Sequence, residues 1–184
     1  MKIKRLPCLA VLLLFVSSGI VAQEVPHVFA GARLETCEGP PIDNGVLVVH
    51  RGKIVAVGRA ADVAIPAGAV KLDATGRTIM PGLVCSHSHI GSVSGGDSSG
   101  PIQPEVRALD SINARDPGIQ KAQAGGITTV NVMPGSGHLL SGQTIYMKLR
   151  DVFTMEELAV RNADGSIAGG IKMANGSNPR KSAP

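Results

Sequence analysis

A histidine pair at the end of an apolar run is the feature that most constrains this chain. Leu83 and Val84 begin a run that we predict to be a buried β-strand, and the run closes on His87 and His89. A Pro-Gly pair precedes it and a Gly/Ser-rich loop follows it. Because side chains on a strand alternate between its faces, both imidazoles are expected on one face, together with Cys85.

Two neutral imidazoles on one face can bind a single divalent metal ion. The His-x-His spacing alone is a weak signal, since a chance pair in a polar loop has the same spacing. Its position strengthens the prediction, because open α/β sheets and barrels carry their chemistry at the ends of buried strands. We therefore predict that His87 and His89 are metal ligands.

Residues 1–22 have the pattern of a secretory signal peptide. Lys2, Lys4 and Arg5 are followed by an apolar run over 6–16 and then by small residues. This run is short for a membrane span, which disfavours the alternative of an uncleaved anchor. We expect an exported protein, periplasmic or secreted, with no stable membrane span after cleavage.

The basic charge of the chain belongs mostly to this leader. The sequence has 18 Lys and Arg against 14 Asp and Glu, and removing residues 1–22 takes away three basic residues and no acidic ones, which leaves 15 against 14. No basic stretch interleaved with aromatic residues remains. The composition therefore gives no reason to expect a nucleic-acid partner.

Residues 23–80 have the pattern of short β-strands separated by turns. The predicted strands are 27–34, 46–49, 53–57, 70–73 and 78–80. Two tight hairpins are expected, one through His50-Arg51-Gly52 and one through 74–77. We interpret 23–80 as a portion of a small antiparallel β-sandwich.

From residue 81 to residue 184 the pattern changes to alternating helices and strands. The predicted helices are 104–112, 117–124 and one opened by a capping box at Thr154, and the predicted strands are 127–133 and 170–174. Asp116 is the expected cap of the second helix, and Gly125-Gly126 its expected end. Such alternation is typical of a parallel sheet with helical crossovers, here only the first part of one.

The order of these motifs resembles the metal-dependent amidohydrolase superfamily, and more closely its exported imidazolonepropionase-like members. The resemblance rests on Gly-Arg-Thr-Ile-Met-Pro-Gly-Leu-Val-x-x-His-Ser-His at 76–89, Gly-Ile-Thr-Thr-Val at 126–130 with Pro-Gly-Ser-Gly at 134–137, and Lys-Met-Ala-Asn-Gly-Ser-Asn-Pro at 172–179. It implies an α/β fold, an incomplete (β/α)8 barrel of the TIM type that follows a β-sandwich portion built in such proteins from both chain ends.

The resemblance also implies the chemistry. A divalent metal, usually zinc, activates water to attack an amide-like or cyclic C–N carbon of a small-molecule substrate, while an acidic residue moves the proton. His87 and His89 would be the first two ligands; later histidines, an aspartate and in some members a carboxylated lysine complete the set. No histidine follows His138. Because a catalytic zinc site needs about three protein ligands, we expect the remainder beyond residue 184 and no activity from this chain alone.

Several alternatives stay open. The chain could be a truncated, non-catalytic exported protein that binds metal weakly at most. Cys85 stands where family members commonly carry Asp, and its thiolate could join the two histidines in a structural zinc site, although a small buried hydrophobe is the favoured role. We interpret Lys172 as solvated rather than as the carboxylated ligand, and His138 as a candidate for lining a pocket. Cys37 and Cys85 are interpreted as free thiols.

Overall fold

The computed structural model describes residues 25–91, 93 and 99–180. These residues divide into two compact units, of which the first ends at Pro81 and the second begins at Gly82. The predicted leader at 1–22 lies outside the described residues. Within those ranges, no helix has the length and apolar character needed to cross a membrane.

The first unit is a five-stranded sheet. Its strands are β1 (His27–Leu34), β2 (Ile42–His50), β3 (Lys53–Arg59), β4 (Val70–Asp73) and β5 (Thr78–Ile79). The order is β3-β2-β1-β4, with β5 also paired to β1. The hairpin predicted between β2 and β3 is confirmed, with Arg51 and Gly52 at positive φ in a two-residue turn.

The second predicted hairpin is wrong. β4 and β5 do not pair with each other; both run parallel to β1, with His27 opposite Val70 and Leu34 opposite Ile79. The connection is a local turn in which the amide of Arg77 donates to the carbonyl of Ala74 at 3.0 Å. The chain keeps its direction through this turn, because β1 is long enough to pair with β4 near one end and β5 near the other.

The second unit contains two small sheets. β6 (Leu83–Ser88), β7 (Ile127–Val132) and β9 (Ile145–Lys148) form one, and β8 (Leu140–Gln143) and β10 (Ile171–Met173) form the other. The short helices are α1 (Pro117–Ala124), α2 (Met155–Leu158) and α3 (Ser177–Arg180). β6 and β7 are parallel and α1 lies between them in the chain, as predicted, whereas β9 and β10 pair antiparallel with β7 and β8.

The helix α1 forms where the sequence predicts it. The carboxylate of Asp116 accepts a hydrogen bond from the amide of Gly118 at 2.6 Å, Pro117 is the first helical residue, and the chain leaves the helix at Gly125. Ile119 is buried in the core of the unit. Local capping signals therefore predict both ends of this helix correctly.

The helix predicted at 104–112 is wrong. Only the 3₁₀ turn Ala108–Asp110 is helical there. Arg107 forms a parallel bridge with Gln143, and the backbone N–H of Gln143 donates to the carbonyl of Val106 at 2.7 Å. These contacts require extended backbone just before the turn, and they outweigh the helical spacing of the apolar residues.

The core of the second unit lies on one face of the β6-β7-β9 sheet. Val130, Val132, Ile145 and Met147 are buried there, with residues of the helices packed against them. The strand predicted as buried at 83–88 is in fact an edge strand that bonds to β7. Its residues Leu83 and Val84 are accordingly 49% and 64% exposed.

Gly142→Ala should destabilise the second unit more than Gly165→Ala. Both glycines have positive φ, 115° and 84°, which costs an L residue roughly 1–2 kcal/mol. Only at Gly142 would a Cβ atom meet backbone, the carbonyl oxygen of Val106, and such overpacking adds roughly 1–3 kcal/mol. Chemical denaturation of the two variants measures the difference; equal losses of stability would contradict this packing.

Candidate metal centre

A β-bulge in β6 decides which side chains face the site. Cys85 lies opposite Val130, but Ser88, three residues later, lies opposite Val132, only two residues later. The extra residue reverses the alternation of side chains between Cys85 and the end of the strand. Cys85 packs against the buried core, while His87 points to the opposite face. The prediction that Cys85 shares the face of the histidines is therefore wrong.

The two imidazoles converge at the end of β6. The Nε2 atoms of His87 and His89 are 3.2 Å apart, and their rings lie edge to face with an interplanar angle of 82°. Nδ1 of His89 is 2.8 Å from the carbonyl oxygen of Met133, the residue after β7. Since a carbonyl only accepts, this bond places the proton on Nδ1 and leaves a lone pair on Nε2.

Lys172 is a third group at this site. It lies on β10 and is only 9% exposed, so the interpretation of a solvated lysine is wrong. Its ammonium lowers the pKa of His87, and partial burial and the neighbouring His89 lower it further. A lowered pKa favours the neutral form of the His87 imidazole, which is the form that binds metal ions. In the described part of the chain, no carboxylate forms an ion pair with Lys172.

The histidine pair fits one tetrahedral metal ion. Two nitrogens that are each about 2.0–2.1 Å from zinc lie about 3.3–3.4 Å apart at the tetrahedral angle. The observed separation of 3.2 Å is close to this value, and the Met133 carbonyl orients His89 as metal-binding histidines are usually oriented. Across residues 25–91, 93 and 99–180, no group of three His, Cys, Asp or Glu side chains could hold a metal ion. The two histidines alone therefore fall short of the ligand set of a catalytic zinc site, which needs about three protein ligands.

Cys85 is not positioned to complete that set. Its Sγ donates to the carbonyl oxygen of His87 at 3.1 Å, so the thiol is turned to the backbone of its own strand. The structural Cys85-His87-His89 site considered above is therefore not formed. Cys85 and Cys37 are both free thiols.

Two further polar residues are buried in this unit. His138 is 6% exposed, and its Nδ1 has no hydrogen-bond partner among the described residues; its role in a pocket stays a prediction. Asn131 on β7 was not identified from the sequence. Its Oδ1 is likewise buried without a partner in the described ranges. The signal that could have identified it is one amide between Val130 and Val132, in a strand that is otherwise apolar or β-branched.

The β6-α1-β7 unit carries two converging histidines at the end of its first strand. This arrangement agrees with the predicted resemblance to the amidohydrolases, and comparisons with known proteins support the resemblance. The amidohydrolase tasK of Hapsidospora irregularis is 32% identical over 114 residues, which cover 56% of this chain and 12% of that protein. An imidazolonepropionase of Porphyromonas gingivalis is 44% identical over 63 residues, 33% of this chain and 14% of that protein. No family model matches the chain.

A crystal structure of an amidohydrolase from Thermotoga maritima resembles the chain in three dimensions. The TM-score is 0.73 with 34% sequence identity, over 85% of this chain and 40% of that one. The predicted resemblance to the amidohydrolases is therefore confirmed. The chain spans from 12% to 40% of the length of these three relatives.

The hydrogen bond from His89 predicts the position of its ring proton. At a pH where the ring is neutral, imidazole ¹⁵N chemical shifts of the metal-free chain should show the tautomer with the proton on Nδ1 and not on Nε2, because the Met133 carbonyl accepts the bond from Nδ1. The spectrum of His89→Gln assigns the signal. A proton on Nε2 of His89 would contradict this geometry.

Proposed function

We propose that this chain supplies the first metal ligands of a hydrolase that cleaves non-peptide or amide-like carbon–nitrogen bonds in a small molecule. The observation that carries the proposal is the convergence of the two Nε2 atoms at 3.2 Å, with the ring of His89 held by a backbone carbonyl. Similarity to proteins named amidohydrolase and imidazolonepropionase favours the same reaction class.

His87 and His89 would hold the metal ion, with zinc as the metal that best suits imidazole ligands in this geometry. When bound, such an ion lowers the pKa of a water molecule and so supplies the nucleophile. The residues of this chain prepare the site, because the Met133 carbonyl holds the tautomer and the orientation of the His89 ring.

We further propose that Lys172 is a third ligand in N-carboxylated form. A buried ammonium with no anion beside it is costly, and it repels a metal cation held by the adjacent His87. In the modification, the unprotonated Nζ attacks carbon dioxide, a C–N bond forms, and a proton leaves to solvent. The product is an anionic carbamate, which removes the repulsion and adds an oxygen ligand.

Two structural proposals accompany this function. Residues 81–184 are the first units of an incomplete (β/α)8 barrel, supported by the parallel β6-α1-β7 unit, and residues 23–80 are a β-sandwich portion. Residues 1–22 remain a signal peptide by prediction from the sequence alone, as does the exported location. Among the described residues, no Asp or Glu joins His87 and His89 in a metal-binding group. The lack of an acidic residue to move the proton supports the further proposal that this chain is inactive by itself.

Zinc titration of the full chain tests the metal site. We expect one ion per chain, and His87→Ala or His89→Ala should weaken binding by about tenfold or more, because each removes one imidazole ligand. Cys85→Ser is the matched control: it lies on the same strand but its thiol is turned to backbone, so it should retain zinc. Zinc bound equally by both histidine variants, or lost in Cys85→Ser, would refute the assignment.

The modification of Lys172 has its own test. Added bicarbonate should raise the zinc affinity of the wild-type chain, and ¹³C-labelled bicarbonate should produce a carbamate signal in the NMR spectrum. Lys172→Arg keeps the charge but should lose both effects. Lys148→Arg is the control, since Lys148 donates to the hydroxyl of Thr129 at 2.9 Å and should retain both. If Lys172→Arg and Lys148→Arg behave equally, the proposal that Lys172 is the carboxylated residue is refuted.

A further inference from the structure

Asn131 carries an amide that the fold does not use. Its Oδ1 is buried and has no hydrogen-bond partner among the described residues, while the residue as a whole is only partly buried. Among the described residues, its NH2 group forms no hydrogen bond and is not a buried unpaired group, so this side of the amide is accessible. An unpaired buried oxygen destabilises the folded state, and a β-branched apolar residue would suit this strand better. A polar side chain at a position where it lowers stability points to a role in binding.

The bulge in β6 places Asn131 beside the histidines. Cys85 is opposite Val130 and Ser88 is opposite Val132, so Ser86 and His87 together oppose Asn131. Val130 and Val132 are in the core, and Asn131 therefore faces the other side of the sheet. That is the face on which His87 and His89 converge, and neighbouring strands are only about 4.8 Å apart.

The polar groups on either side of Asn131 along the chain are already engaged. The hydroxyl of Thr129 accepts a hydrogen bond from Lys148 at 2.9 Å. The carbonyl of Met133 accepts from His89 at 2.8 Å. Asn131 lies between these two positions, and its amide NH2 is a neutral donor left for a ligand.

We infer that Asn131 is a specificity-determining residue of this site: its amide N–H donates to the oxygen of a carbonyl compound bound at His87 and His89. An amide donor in this position stabilises the negative charge that develops on oxygen when water attacks the carbonyl carbon. The site would thus select molecules whose scissile nitrogen is bonded to a carbonyl carbon. This inference rests on the proposed function.

Methylphosphonate, a tetrahedral anion that resembles the product of water attack on a carbonyl, is the probe. We would measure its affinity for the zinc-loaded full chain by calorimetry, together with the zinc affinity and the Tm of the metal-free chain. Asn131→Leu, similar in shape and without polar atoms, should weaken methylphosphonate binding by about tenfold or more. It should leave zinc affinity unchanged and the Tm equal or higher, since the unpaired oxygen is removed.

Asn162→Leu is the matched control. Its amide is used within the fold, donating to the hydroxyl of Ser166 at 3.0 Å, so this variant should lower the Tm and leave methylphosphonate affinity unchanged. Unchanged methylphosphonate affinity in Asn131→Leu, or a lowered Tm in that variant, would overturn the inference. A wild-type chain that binds zinc but not methylphosphonate would overturn it too. A wild-type chain that takes up no zinc would instead refute the proposed function, and this inference with it.

Discussion

The hydrogen bond between Nδ1 of His89 and the carbonyl oxygen of Met133 is the interaction on which the site depends. It joins the end of β6 to the end of β7 and determines both the tautomer and the orientation of the ring. An imidazole without this bond would rotate freely at the exposed end of an edge strand. With it, the Nε2 atoms of His87 and His89 meet at a distance suited to one metal ion.

The two faces of the β6-β7-β9 sheet have opposite roles. One face buries Val130, Val132 and their apolar neighbours, and this packing stabilises the second unit. The other face holds groups that are unfavourable in a folded protein, such as the Oδ1 of Asn131, which is buried without a hydrogen-bond partner among the described residues. Lys172 adds a buried ammonium without a carboxylate partner in the described part of the chain. The apolar face thus stabilises the unit, and the opposite face carries the candidate metal site.

Elements defined by local signals were predictable from the sequence. The β2–β3 hairpin follows from two β-branched runs around Arg51-Gly52, and α1 follows from the Asp116 cap. The errors concern partners that are distant in the chain. β4 and β5 pair with β1 rather than with each other, and Arg107 bridges to Gln143 instead of joining a helix. Pairing of this kind depends on contacts that no local pattern records.

The sequence by itself determined that two histidines share a short spacing at a strand end, and it carried the resemblance to the amidohydrolases. Tertiary structure decided what surrounds them. Alternation along β6 is a local property, but the bulge that turns Cys85 into the core exists only in the pairing with β7. Lys172 is far from His87 in the chain, and only the packing of β10 brings its charge to the ring.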